Sequence, residues 1–163
     1  MADIRLRAYG VAALVFSVDR ATKWFIETHV SALDTYKVIP GFFDIVHSQN
    51  KGLAFGLLND STSEWRTALL IMFSAAALAL VGAMLWNARR MDRLTVVGLS
   101  LILGGAAGNV FDRIAWGRVT DFLEFYIGDL HWPTFNMADT AIVIGCGLLL
   151  VDMLRPKRQA ART

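Results

Sequence analysis

Two aspartates, Asp121 and Asp139, stand at the ends of a short connecting segment whose flanks are apolar enough to lie in a bilayer. Ionisable groups in such surroundings are costly and point to function by default. If the segment folds back on itself, the two carboxylates meet at the membrane surface. Two carboxylates sharing a site cannot both ionise easily, so one pKa rises and they share a proton. One then takes a proton from water while the other protonates or polarises a carbonyl. That chemistry cleaves an amide with no metal and no cofactor. A single Asp at a membrane edge more often caps a helix or faces water. Two of them, with Asn136 and Arg113 close in sequence, favour a catalytic pair.

Other chemistries lack their residues. His29, His47 and His131 are scattered and no His-Glu-x-x-His occurs, which argues against a zinc protease. There is no Gly-x-Ser-x-Gly, and the one cysteine, Cys146, lies within an apolar run where it reads as a buried packing residue. No phosphate-binding or dinucleotide glycine pattern stands at a strand–helix junction. The net charge of +2 is too mild to imply nucleic acid.

The elements that must position the pair are transmembrane helices. Hydrophobic residues make up 55% of the 163-residue chain, charged ones only 18%, and the mean hydropathy is +0.46. These values describe an integral membrane protein forming one compact bundle. Four spans are expected, at about residues 9–28, 67–86, 94–111 and 138–154, in a single domain covering 1–163. In the first, Asp19 and Lys23 are spaced i, i+4 with the acid leading, the better orientation for a helical ion pair. They either neutralise each other inside the bundle or shape a site. In the second, the small residues Ser74 to Ala77 suit tight packing, and in the third Gly104-x-x-x-Gly108 does the same. Arg113 near its end can hold a carboxylate or a backbone carbonyl.

Two segments, 29–64 and 115–137, are too polar to span. In the first, the β-branched and aromatic stretches 35–39 and 43–49 flank Pro40-Gly41 and form a small hairpin. Asn50-Lys51-Gly52-Leu53-Ala54-Phe55-Gly56 then reads equally as a structural turn or a binding loop. In the second, Tyr126, His131 and Trp132 suit the interfacial belt, in a short interfacial helix or lid. Basic residues fall at the start, in the 87–93 loop and in the tail. The positive-inside rule then places both termini in the cytoplasm and Asp121, Asp139, Asn50 and Arg113 towards the outer face.

Five stretches in this order resemble the lipoprotein signal peptidase (signal peptidase II) family of bacterial membrane aspartic peptidases. They are Asp19-x-x-x-Lys23, Asn50-x-Gly52-x-Ala54-Phe55, Gly104-Gly105-Ala106-x-Gly108-Asn109-x-x-Asp112-Arg113, Val119-x-Asp121-Phe122 and Phe135-Asn136-x-Ala138-Asp139. The resemblance implies that Asp121 and Asp139 are the catalytic dyad. It implies that Asn50, Gly52, Ala54, Phe55, Gly108, Asn109, Arg113 and Asn136 line or support the site, and that Asp19 and Lys23 help build it. It implies prolipoprotein substrates carrying diacylglycerol on a cysteine, cleaved before that cysteine, and an enzyme seated in the bacterial cytoplasmic (inner) membrane. Membrane lipids are the other expected partners, the chain being a monomer. At Arg20 the sequence departs from the family, which more often has Gln. A proton-conducting transporter would spread its acids through the membrane depth, whereas these concentrate at one face. The Gly-x-Gly-Asp signature of presenilin-type proteases is absent.

Overall fold

The structure, a computed structural model, describes residues 3–51 and 64–155. Four α-helices and a four-stranded sheet appear among these residues. Helix α1 runs Ile4–His29, α2 Glu64–Trp86, α3 Arg93–Trp116 and α4 Met137–Leu154. Strands β1 (Thr35–Ile39) and β2 (Phe43–Asn50) form the expected hairpin, with Gly41 at φ +81 in its turn. The sheet continues in the order β1-β2-β3-β4, all pairs antiparallel, through β3 (Val119–Ile127) and β4 (Leu130–His131).

The second outer segment, expected to form a short interfacial helix or lid, is not helical but a strand hairpin. The run Val119-Thr120-Asp121-Phe122-Leu123-Glu124-Phe125-Tyr126-Ile127 is dense in β-branched and aromatic residues, which fit a pleated surface. The open edge of β2 supplies the hydrogen bonds. Gly128-Asp129 supplies the tight turn, with Gly128 at φ +58.

Among the described residues, three helices are long and apolar enough to cross a membrane: α2 over Ala68–Trp86, α3 and α4. Helix α3 is the hub, packed against α1, α2 and α4. Its glycines permit this. A Cβ on Gly104 would sit 2.5 Å from the Ala12 carbonyl oxygen of α1, and one on Gly105 would strike the Ala138 carbonyl of α4. Gly108 similarly admits the Asp19 carboxylate. Gly117, left-handed at φ +67, ends α3 and turns the chain into β3.

Buried apolar residues form two small clusters, one at each end. Ala8, Leu85, Ala88, Val96 and Leu99 close the first; Ile26, Val30 and Phe122 close the second. Two packing expectations fail. Ala75, Ala76 and Ala77 are exposed on α2, and Cys146 is exposed on α4. In a bilayer an outward face is as apolar as a packed one, so hydrophobicity does not separate them.

Gly105→Ala tests the α3–α4 contact. The obstructing atom is backbone and cannot rotate away, and overpacking of this kind costs about 1–3 kcal/mol. The variant is expected to melt earlier in detergent. An unchanged melting temperature would contradict this reading of the contact.

Candidate active site

Antiparallel pairing of β2 with β3 sets Asn50 opposite Val119, diagonal to Asp121. The Asn50 Nδ2 donates to Asp121 Oδ2 at 3.1 Å. On the other side, Leu123 bridges to Phe135, which delivers Asn136 to Asp121. Asn136 Nδ2 donates to Asp121 Oδ1 at 2.7 Å and to Asn109 Oδ1 at 3.3 Å.

Asn136 is also the N-cap of α4. Its side-chain oxygen accepts from the Asp139 N–H at 3.1 Å, and its own N–H donates to Asp139 Oδ2 at 3.2 Å. This reciprocal capping box fixes Asp139 in the first turn, where the helix dipole favours a carboxylate. Asn109 Nδ2 donates to the remaining Asp139 oxygen at 2.8 Å. One residue, Asn136, thus bonds both carboxylates, and Asp139 lies close enough for its charge to act on Asp121.

Beneath the pair lies a charge cluster. Lys23, fully buried, donates to Asp19 Oδ2 at 2.8 Å and to Asn109 Oδ1 at 2.9 Å, and lies 2.7 Å from Asp112 Oδ2. Asp19 Oδ1 accepts from the Ala138 N–H at 2.9 Å. Arg20 pairs with Asp112 and lies over the rings of both Phe111 and Trp116. Two carboxylates meet two cations, so the cluster is neutral. Lys23 orients Asn109, and Asn109 orients Asp139.

Asp121, Asp139, Asn50, Asn109, Asn136, Asp19, Lys23 and Gly108 therefore share one constellation. Arg113 is at the same end of α3 but donates to the Asn109 carbonyl at 3.2 Å, one turn back on its own helix, and binds no carboxylate among the described residues. Gly52, Ala54 and Phe55 lie outside the described residues. Asp112 stands in the α3 motif, but sequence reasoning gives it no role. Its spacing of three from Asn109 puts it on the same helical face, and that is the available signal.

Burial pushes the Asp121 carboxyl up to about 6, and the Asp139 charge adds to this against the opposing hydrogen bonds from Asn50 and Asn136. Between 3.8 and about 6 the folded chain holds a proton that the unfolded chain has lost. Stability from this group is full below the lower value and declines as pH rises to the upper one. Asp121→Asn cannot titrate. Its stability relative to the parent should rise from pH 4 to pH 6.5, by about 3 kcal/mol at most, then level off. Paired melts across this range check it, and a pH-independent difference would exclude the raised carboxyl.

Helices long and apolar enough to cross a membrane, with the buried Asp121 and the half-buried Asp139 bonded to one asparagine at one end, describe an integral membrane protein. A family model described as signal peptidase (SPase) II matches residues 11–155. A lipoprotein signal peptidase of Solibacter usitatus (strain Ellin6076) is 67% identical over 161 residues, covering 99% of this chain and 98% of the relative. One from Nitratidesulfovibrio vulgaris (strain DP4) is 42% identical, covering 90% and 88%. A bacterial membrane enzyme solved by the in meso method at 2.3 Å resolution superposes with a TM-score of 0.80 at 26% identity, covering 96% of this chain and 93% of that one. The chain belongs to the signal peptidase II family and is a peptidase.

Proposed function

We propose that Asp121 and Asp139 are the catalytic pair with which this chain removes signal peptides from prolipoproteins. The observation that carries the assignment is Asn136, which bonds both carboxylates while capping α4. Asp121, buried and with its carboxyl raised to about 6, protonates readily enough to give a proton to the scissile carbonyl. Asp139 takes a proton from the attacking water. Asn50, Asn109 and Asn136 hold the two groups in register, and Lys23 with Asp19 holds Asn109. The family membership supports an aspartic mechanism.

Four helices span the membrane in this reading, α1 included. Its charges Asp19 and Lys23 are buried inward, while Leu14, Val18, Trp24 and Phe25 are exposed outward, as a lipid-facing helix requires. Arg5, Arg7, Arg89, Arg90, Arg93 and Arg155 lie at the helix ends away from the dyad. The positive-inside rule then puts both termini in the cytoplasm and the dyad at the outer face of the bacterial inner membrane. The chain acts as a monomer.

The substrate carries a diacylglyceryl group on the cysteine after the cut. Acyl chains contribute about 0.8 kcal/mol per buried CH₂ and fix the scissile bond at the depth of the dyad. Cleavage of a diacylglyceryl precursor should be far faster than of the same precursor with a free thiol at equal surface density. Equal rates would remove the lipid from the recognition.

A further inference from the structure

At the end of the bundle opposite the dyad, α1 and α3 enclose a cleft of about 360 Å³. That volume falls within the roughly 300–1,000 Å³ of ligand clefts. Its lining on α1 is Ile4, Arg7, Ala8 and Val11, spaced i, i+3, i+4, i+7 and so on one helical face. Arg93, Val96, Val97 and Ser100 repeat the spacing on α3. The only side-chain hydroxyl in this lining, that of Ser100, is spent on the Val96 carbonyl at 2.7 Å, so the floor presents no free polar group.

The mouth is different. Arg7 and Arg93 form no ion pair or hydrogen bond through their side chains among the described residues. Neighbouring charges are otherwise engaged: Arg89 pairs with Asp3 at 2.6 Å, and Arg5 lies over Trp86. Asp92, at the N-cap of α3, pairs with neither arginine and makes no side-chain cap. Both α1 and α3 begin at this end, so two positive helix termini face the same region.

We propose that this cleft binds an anionic glycerophospholipid, its phosphate between Arg7 and Arg93 and one acyl chain along the apolar floor. Two unpaired guanidinium groups over a hydrocarbon-lined groove match a ligand with one anionic end and one apolar tail. The basic tail of the chain, with Lys157, Arg158 and Arg162, has the wrong charge to fill the mouth. A zwitterionic lipid offers the same chain but no net negative charge. The cleft is separate from the carboxylate pair, so occupancy acts on the bundle and not on the chemistry.

Native mass spectrometry of the full-length protein, with phosphatidylglycerol or phosphatidylcholine titrated into neutral detergent, tests this. Phosphatidylglycerol should bind at least about tenfold more tightly, and Arg7→Gln with Arg93→Gln should abolish the preference. Val97→Trp, which fills the groove and keeps both charges, should weaken phosphatidylglycerol binding by a similar factor. Inorganic phosphate should not raise the melting temperature as phosphatidylglycerol does. Both variants should retain their lipid-free melting temperature and their cleavage rate in neutral detergent. Equal retention of the two lipids, an unchanged preference in the double variant, full binding by Val97→Trp, or equal stabilisation by free phosphate would each overturn the proposal.

Discussion

Asp139→Asn and Asp121→Asn are each expected to lower cleavage of a lipidated precursor by about 10³-fold or more while leaving a folded protein that still binds it. Loss of general acid–base help costs about 10²–10⁴-fold, and a residue that activates the nucleophilic water belongs at or beyond the upper end. Asn is nearly isosteric with Asp. In the Asp139→Asn variant the backbone N–H at this position can keep its bond to the Asn136 side chain, so the α4 N-cap survives. In the Asp121→Asn variant the new amide can still accept from Asn136 through its carbonyl oxygen. Neither amide can take a proton from water. If the two acids served only as caps and anchors, each change would cost about 1 kcal/mol of stability and leave turnover per folded molecule intact. Precursor binding by the inactive variants separates lost chemistry from lost recognition.

Lys23→Met is expected to destabilise the protein by about 3–5 kcal/mol, the cost of leaving buried charge uncompensated. Lys23 is wholly buried, as are Asp19 and, nearly so, Asp112. Without the ammonium, Arg20 remains beside Asp112, and Asp19 keeps only the Ala138 N–H. The net worth of the intact cluster is smaller, since desolvating four charges offsets most of their attraction. Removal of a single partner exposes the full imbalance. Asp19→Asn placed on top of Lys23→Met should therefore recover part of the loss, because the two residues are coupled. Melting in detergent measures both. A loss below about 1 kcal/mol for the single variant would mean that the site tolerates an unpaired carboxylate. Turnover should fall as well, since Lys23 holds the Asn109 that holds Asp139.

The acids and the helices are more legible in the sequence than their contacts are. The Asp19–Lys23 pair is legible because i, i+4 spacing is local. Asn109 and Asp112 as partners of Lys23 depend on where α3 packs on α1, which no local period encodes. The β1–β2 hairpin is legible from its β-branched runs around Pro40-Gly41. Strand β3 reads as an interfacial helix or lid because its aromatics also fit a membrane belt, although Gly128-Asp129 already marks a hairpin turn. That ambiguity conceals how Asp121 is held: by a strand that β2 and Phe135 flank, not by a helix end. Cys146 and the Ala75–Ala77 stretch show another limit. Helices in a bilayer are apolar on packed and exposed faces alike, so burial cannot be ranked from hydropathy.

The most direct test is single-turnover cleavage of a diacylglyceryl precursor by purified, folded Asp121→Asn, Asp139→Asn and the double variant. Groups that act as one unit lose nearly everything with the first substitution, so the double variant should fall within about tenfold of either single one. Near-normal turnover in either single variant, or a double variant slower by the product of the two losses, would contradict a shared catalytic pair.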